Sequence, residues 1–162
     1  MKSLFFSLLM IASVMVSGQS AKEARENNIK TRTVVKTIEQ NGVPFTFTET
    51  VEQFNKNGKT ISKTEYSKTG KVKSEQTFKY DSFGNVTEET EKDTKDNTYF
   101  VIKYTYNADG DKTSETKTDG SGNVIEKITY TYNNKGLRTE KKVYDSSGVV
   151  KSVRKTTYEY YK

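Results

Sequence analysis

The sequence predicts an all-β protein, an antiparallel meander of about ten strands built from tandem β-hairpins in one open or curled sheet. Three observations carry that expectation. A turn-bearing heptad, Tyr104 to Gly110 (YTYNADG), occurs 26 residues earlier as Phe78 to Gly84 (FKYDSFG) and 26 later as Tyr130 to Gly136 (YTYNNKG). A second turn series, Gly70, Asp96, Gly122 and Gly148, keeps the same 26-residue interval. Between the turns lie strand-favouring residues, with 23 threonines, 11 tyrosines and a single proline in the 162-residue chain.

Residues 1–18 stand outside the repeat. Lys2 precedes an apolar run from Leu4 to Val16, and Val16-Ser17-Gly18 offers the small residues a signal peptidase reads, so Met1 to Gly18 is predicted to be a signal peptide. The run is short for a membrane span. Export to a periplasm, the cell surface or the medium is the expected localisation. With no cysteine, disulfide stapling and lipid attachment at a lipobox are excluded. Residues 19–29 form a polar lead-in that is frayed or briefly helical, and residues 30–162 form the β-hairpin repeat domain.

Past Gly18, Leu, Ile, Val and Phe number only 25 of 144 residues. That is too few for a thick two-layer core, so a thin sheet with one semi-apolar face is expected. Lys30 to Glu39 alternates as a first strand, Gln40-Asn41-Gly42 carries a hairpin turn signal, and Phe45 to Phe54 follows as partner. Phe45 and Phe47 are odd while Phe54 is even, which calls for a bulge near Pro44 or within the strand. Further strands are expected near 59–66, 71–80, 85–92, 98–106, 111–118, 123–132, 137–144 and 149–160.

The turn Asp81-Ser82-Phe83-Gly84 suits a type I turn closed by a left-handed glycine, pairing Tyr80 with Val86. Successive turns lie 12 and 14 residues apart. Even steps predict that even-numbered side chains share one face throughout. That face would hold Phe78, Tyr80, Phe100, Ile102, Tyr104, Tyr106, Ile128, Tyr130 and Tyr132 on long strands. On a short strand it would hold Lys112, Ser114, Thr116 and Thr118.

The segments Phe78 to Val86 (FKYDSFGNV), Tyr104 to Asp111, Tyr130 to Leu137 and Tyr144 to Val149 (YDSSGV) resemble the YD-repeat, or RHS-repeat, families of bacterial surface and secreted proteins. The likeness spans roughly Phe54 to Tyr160. It implies a β-rich array associated with carbohydrate binding, cell-surface contact or a toxin-enclosing shell. This chain has few repeats and no appended toxin domain, so the resemblance implies a small exported hairpin protein.

Catalysis finds little support. Without histidine or cysteine, a Ser-His-Asp triad, a cysteine nucleophile and the usual zinc ligands are unavailable. Glu88, Glu89, Glu91 and Glu115 alternate with Lys or Thr as on a solvated strand face. The loops Asn107 to Asp111 and Asp119 to Asn123 carry calcium-like oxygens but lack the closing glutamate of an EF-hand. No enzyme activity, cofactor or metal site is expected.

The tyrosines are the binding candidates, because flat amphipathic rings stack on sugars or apolar partners. Tyr80, Tyr104, Tyr106, Tyr130, Tyr132, Tyr158 and Tyr160, with Arg138 and Arg154, form the candidate site. In a purely structural role they pack on cross-strand neighbours, Tyr106 beside Lys112 and Tyr132 beside Arg138. Charge adds an asymmetry. Residues 135–162 carry 8 Lys plus Arg against 3 Asp plus Glu, while residues 19–134 balance at 18 against 18.

The expected function is an exported, non-enzymatic binding or adhesion module presenting a tyrosine-rich, basic sheet surface to glycan or protein. The alternative is a structural envelope protein that self-associates or docks through the same sheet. Nucleic acid is not an expected partner, and no membrane span is expected after signal cleavage.

Overall fold

From Asn55 onward, each chain reversal is built by one short polar side chain and one residue with left-handed backbone. In the computed structural model, which describes residues 23–160 apart from Asn41, Asp81 N–H donates to the Asn85 carbonyl at 3.0 Å. Gly84 N–H closes the type I turn onto the Asp81 carbonyl at 3.1 Å, and Gly84 has φ 86°. The Asp81 carboxylate accepts from Asn85 N–H at 2.8 Å. Asn107 and Asn133 repeat this closure 26 and 52 residues later. The predicted signal peptide, Met1 to Gly18, lies outside the described residues.

These turns join ten strands: β1 Thr31–Gln40, β2 Val43–Phe54, β3 Thr60–Tyr66, β4 Val72–Tyr80, β5 Val86–Asp93, β6 Thr98–Tyr106, β7 Lys112–Asp119, β8 Val124–Tyr132, β9 Arg138–Asp145 and β10 Val150–Lys155. They lie side by side in sequence order in one antiparallel sheet with β1 and β10 at its edges. The meander is therefore open. Ahead of it, one helical turn over residues 23–26 seats a buried Ala24, and Phe54 N–H bonds the Lys30 carbonyl at 2.9 Å.

Even parity across the array does not hold. Tyr80 pairs with Val86 as expected, but Lys79 pairs with Glu88, which leaves Thr87 as an extra residue. Thr113 and Thr139 are extra in the corresponding β6–β7 and β8–β9 hairpins. Each bulge exchanges odd for even on the short strand. Phe78 thus stands opposite Glu89, Tyr104 opposite Glu115 and Ile102 opposite Lys117. Ser114, Thr116 and Thr118 lie on the other face, where Thr105 pairs with Ser114. At the far end of the short strands a second switch restores the long strands to even parity. It is a bulge at Ile125 between β7 and β8, and a turn pairing Asp93 with Thr98 between β5 and β6.

Three smaller departures have the same kind of cause. In the Asp93 to Thr98 turn the left-handed residue is Asn97, φ 49°, and the Asp96 position of the glycine series slips by one. In β2 the extra residue is Glu49, between Thr48 opposite Val35 and Thr50 opposite Val34. That bulge puts Phe47 and Phe54 on one face. The last strand ends at Lys155 instead of continuing to residue 160, because β10 has a neighbour only on its β9 side.

Burial follows from a single layer. Among the described residues only Ala24, Phe54, Ile102 and Ile128 are buried apolar groups, and Glu89 is a buried charge at 8% exposure. Both core isoleucines sit mid-strand on the aromatic face, flanked by neighbours on each side. The sheet holds together through its ladder, cross-strand ion pairs and ring contacts more than through a packed interior.

Candidate binding face

Long strands β4, β6 and β8 deliver rings to one face, and short strands lay charged stems between them. Cross-strand pairing gives one row of Phe78, Glu89, Ile102 and Lys117, and another of Tyr104, Glu115, Ile128 and Val143. Cations lie on the ring faces. Lys112 Nζ is 4.2 Å from the Tyr104 centroid, Lys117 Nζ 4.2 Å from Phe100, and Arg138 Cζ 4.3 Å from Tyr130 and 5.9 Å from Tyr132. Such stacking holds the rings in place.

The second tyrosine of each pair reaches backward. Tyr80 donates to the Thr60 carbonyl at 2.7 Å, Tyr106 to Val86 at 2.7 Å, Tyr132 to Lys112 at 2.8 Å and Tyr158 to Arg138 at 2.8 Å. Every acceptor is the residue that opens the preceding short strand, save that Tyr158 itself lies just past β10. The first tyrosine of a pair binds a carboxylate instead. Tyr104 donates to Glu89 Oε2 at 2.9 Å and Tyr130 to Glu115 Oε1 at 2.6 Å.

Burial pushes the Glu89 carboxyl up from its ordinary range, with the Tyr104 hydrogen bond opposing. Burial likewise holds the Tyr104 phenol far above its usual value, reinforced by the Glu89 charge it faces. Tyr130 is raised by burial and by its bond to Glu115. Lys112 Nζ also reaches Glu115 at 3.2 Å, and Lys117 reaches Glu91 at 3.3 Å. Glu89, Glu91 and Glu115 are thus each matched by a phenol or an ammonium.

The structure gathers Tyr80, Tyr104, Tyr106, Tyr130 and Tyr132 on one face as predicted. Tyr158 and Tyr160 follow the end of β10, and Tyr160 is half exposed, with Lys135 Nζ 3.6 Å from its centroid. Arg138 lies on the Tyr130 and Tyr132 rings, while Arg154 stands directly opposite Lys141 across β9 and β10. Sequence reasoning missed Glu89, Glu115 and Lys117 as parts of this face, while Lys112 stands beside Tyr106 as expected. A constant 15-residue offset, Glu89 to Tyr104 and Glu115 to Tyr130, was the signal that could have found the carboxylates.

Shallow depressions mark the described surface. One of about 570 Å³ is lined by Lys36, Phe47, Glu65 and Tyr66, and one of about 410 Å³ by Arg25, Lys59, Tyr80 and Phe83. Among the described residues no group of three or more acidic side chains is placed to hold a metal ion, and no helix is long and apolar enough to cross a membrane.

No protein-family model matches the chain, and no curated protein matches it. Among solved structures, a crystal structure of a protein with unknown function from Bacteroides fragilis NCTC 9343 matches with a TM-score of 0.24 and 13% identity, over 81% of this chain and 96% of that one. A score that low supports no argument about fold or function.

Proposed function

We propose that the protein is an exported, non-enzymatic binding or adhesion module that presents its tyrosine-rich, basic sheet face to glycan or protein. One observation carries the reading. An open single-layer sheet sets rings from alternate strands on one uncovered face and pins each paired tyrosine through its hydroxyl. Pinned rings lose little conformational freedom on binding, which favours association. Lack of histidine and cysteine in the sequence supports the non-enzymatic half. Glycan-array binding by monomeric protein tests the reading. Binding that falls in Tyr104→Ala with Tyr130→Ala, while the sheet's circular dichroism is retained, supports it, and a monomer that binds neither glycan nor envelope protein overturns it.

A second reading has its own observation. Both outer strands lack a neighbour on one side, and Val34 and Val35 on β1 and Val150 and Val153 on β10 are exposed. These edges support a structural envelope protein that associates with copies of itself. Oligomers that grow with concentration would favour it over the first.

A further inference from the structure

The last unit of the repeat departs from the others at its centre. In the unit before it, Glu115 pairs with Ile128 across β7 and β8, and Ile128 is buried. Twenty-six residues later the same two places are Lys141 and Arg154, paired across β9 and β10. Thr156 replaces the tyrosine that would bind a glutamate there. Two cations therefore face each other where every preceding unit mixes an apolar or neutral group with a charge.

Among the described residues neither Lys141 nor Arg154 has an ion-pair partner. Glu140 is taken by Lys142 at 2.7 Å and Asp145 by Lys151 at 2.8 Å. Tyr130 stands on the other side of Lys141, whose Nζ is 5.9 Å from its ring centroid, and Arg138 lies over the same ring. Like charges directly opposite across a ladder are destabilising. An oxyanion seated between Lys141 and Arg154 would relieve that cost.

We propose that Arg138, Lys141 and Arg154, beside the rings of Tyr130 and Tyr158, form a binding site for the anionic groups of a polysaccharide. The inference rests on the binding-module reading and assigns it a ligand class and a place. Arginine and lysine supply the charge-assisted hydrogen bonds that an oxyanion takes. The neighbouring Tyr158 ring is fixed by its hydroxyl on the Arg138 carbonyl and is partly exposed, so it offers a flat platform for the sugar that bears the charge. An acidic peptide fits less well, because its carboxylates bring no sugar ring to the partly exposed Tyr158 face.

The test measures binding of the purified full chain to polygalacturonate and to dextran sulfate, with neutral dextran and poly-glutamate as controls. Wild type is expected to bind at least one of the two charged polysaccharides, more weakly as salt rises. Lys141→Glu with Arg154→Ile, which copies the preceding unit, is expected to weaken that binding at least tenfold with thermal stability kept. Lys141→Gln with Arg154→Gln should show a similar loss. Equal binding by wild type and both variants overturns the site but leaves the module reading intact. Equal binding of poly-glutamate overturns the sugar assignment, and no binding of either charged polysaccharide by wild type overturns the inference outright. Tyr104→Ala alone, at a ring outside this patch, probes the module reading separately.

Discussion

The Tyr106 hydroxyl donates to the Val86 carbonyl at 2.7 Å, spanning 20 residues to the point where β5 begins. Val86 is the residue Tyr80 pairs with at the preceding turn, so one phenol ties two successive hairpins together. The same bond recurs at Tyr80, Tyr132 and Tyr158. In a sheet without a thick core, these ties bind one repeat to the next. Tyr106→Phe is expected to lower unfolding stability by about 1 kcal/mol, the usual worth of a hydrogen bond whose acceptor is left unmatched. Tyr99→Phe, at an exposed ring, should be silent in the same denaturant titration.

Phenols used this way should resist ionisation. Burial is the leading cause of the upward shift at Tyr80, Tyr104, Tyr106 and Tyr130. A group with a raised folded-state pKa contributes stability that is complete below its unfolded value, about 10 for tyrosine, and is lost as pH rises through the folded value. These four rings are expected to stay protonated past pH 10 and to ionise together as the sheet unfolds. Ultraviolet absorbance of phenolate followed alongside circular dichroism checks this. Four rings titrating smoothly near pH 10 in an intact sheet would sink it.

Much of this architecture was legible in the sequence. Asp81 and Gly84 announce the turn because only certain residues accept its backbone, and the Tyr106 to Lys112 pairing follows directly from that turn. The bulges were not legible. Thr87, Thr113 and Thr139 are ordinary strand residues, and an inserted residue in a ladder leaves no mark in composition or hydrophobic alternation. Missing them moved Glu115 and Lys117 to the wrong face and hid the partners of the tyrosines. Asn97 escaped notice for a related reason, since asparagine tolerates left-handed backbone and let the turn close one residue beyond the glycine series.

A turn glycine offers a clean test of the backbone argument. At Gly110, φ is 84° and a Cβ would meet nothing within 4 Å, so only the left-handed conformation opposes a side chain. Gly110→Ala should cost about 1–2 kcal/mol, the penalty for an ordinary residue in that region. Gly110→Asn should cost less, because asparagine is among the residues that visit it. Equal losses in the two variants would point to contacts instead of conformation.

Glu89 gives a prediction with a definite sign. It is 8% exposed, accepts from Tyr104 at 2.9 Å and Gln76 at 3.3 Å, and burial raises its pKa. A carboxyl raised in the folded state holds more protons folded than unfolded, so its contribution is most favourable in acid and declines as pH climbs. The decline begins in the ordinary glutamate range, about 4.3, and is complete above the raised folded value. Glu89→Gln keeps an oxygen for the Tyr104 hydroxyl and removes the titrating group. Asp81, Asp119, Asp145 and Glu65, whose carboxyls are held low by their hydrogen-bond partners, are common to both proteins and cancel in the comparison. The stability difference between wild type and Glu89→Gln should therefore be flat in strong acid and should shift in favour of the variant as pH rises through that window. Denaturant unfolding at several pH values measures it, and a difference independent of pH would show that Glu89 is solvated in the folded sheet.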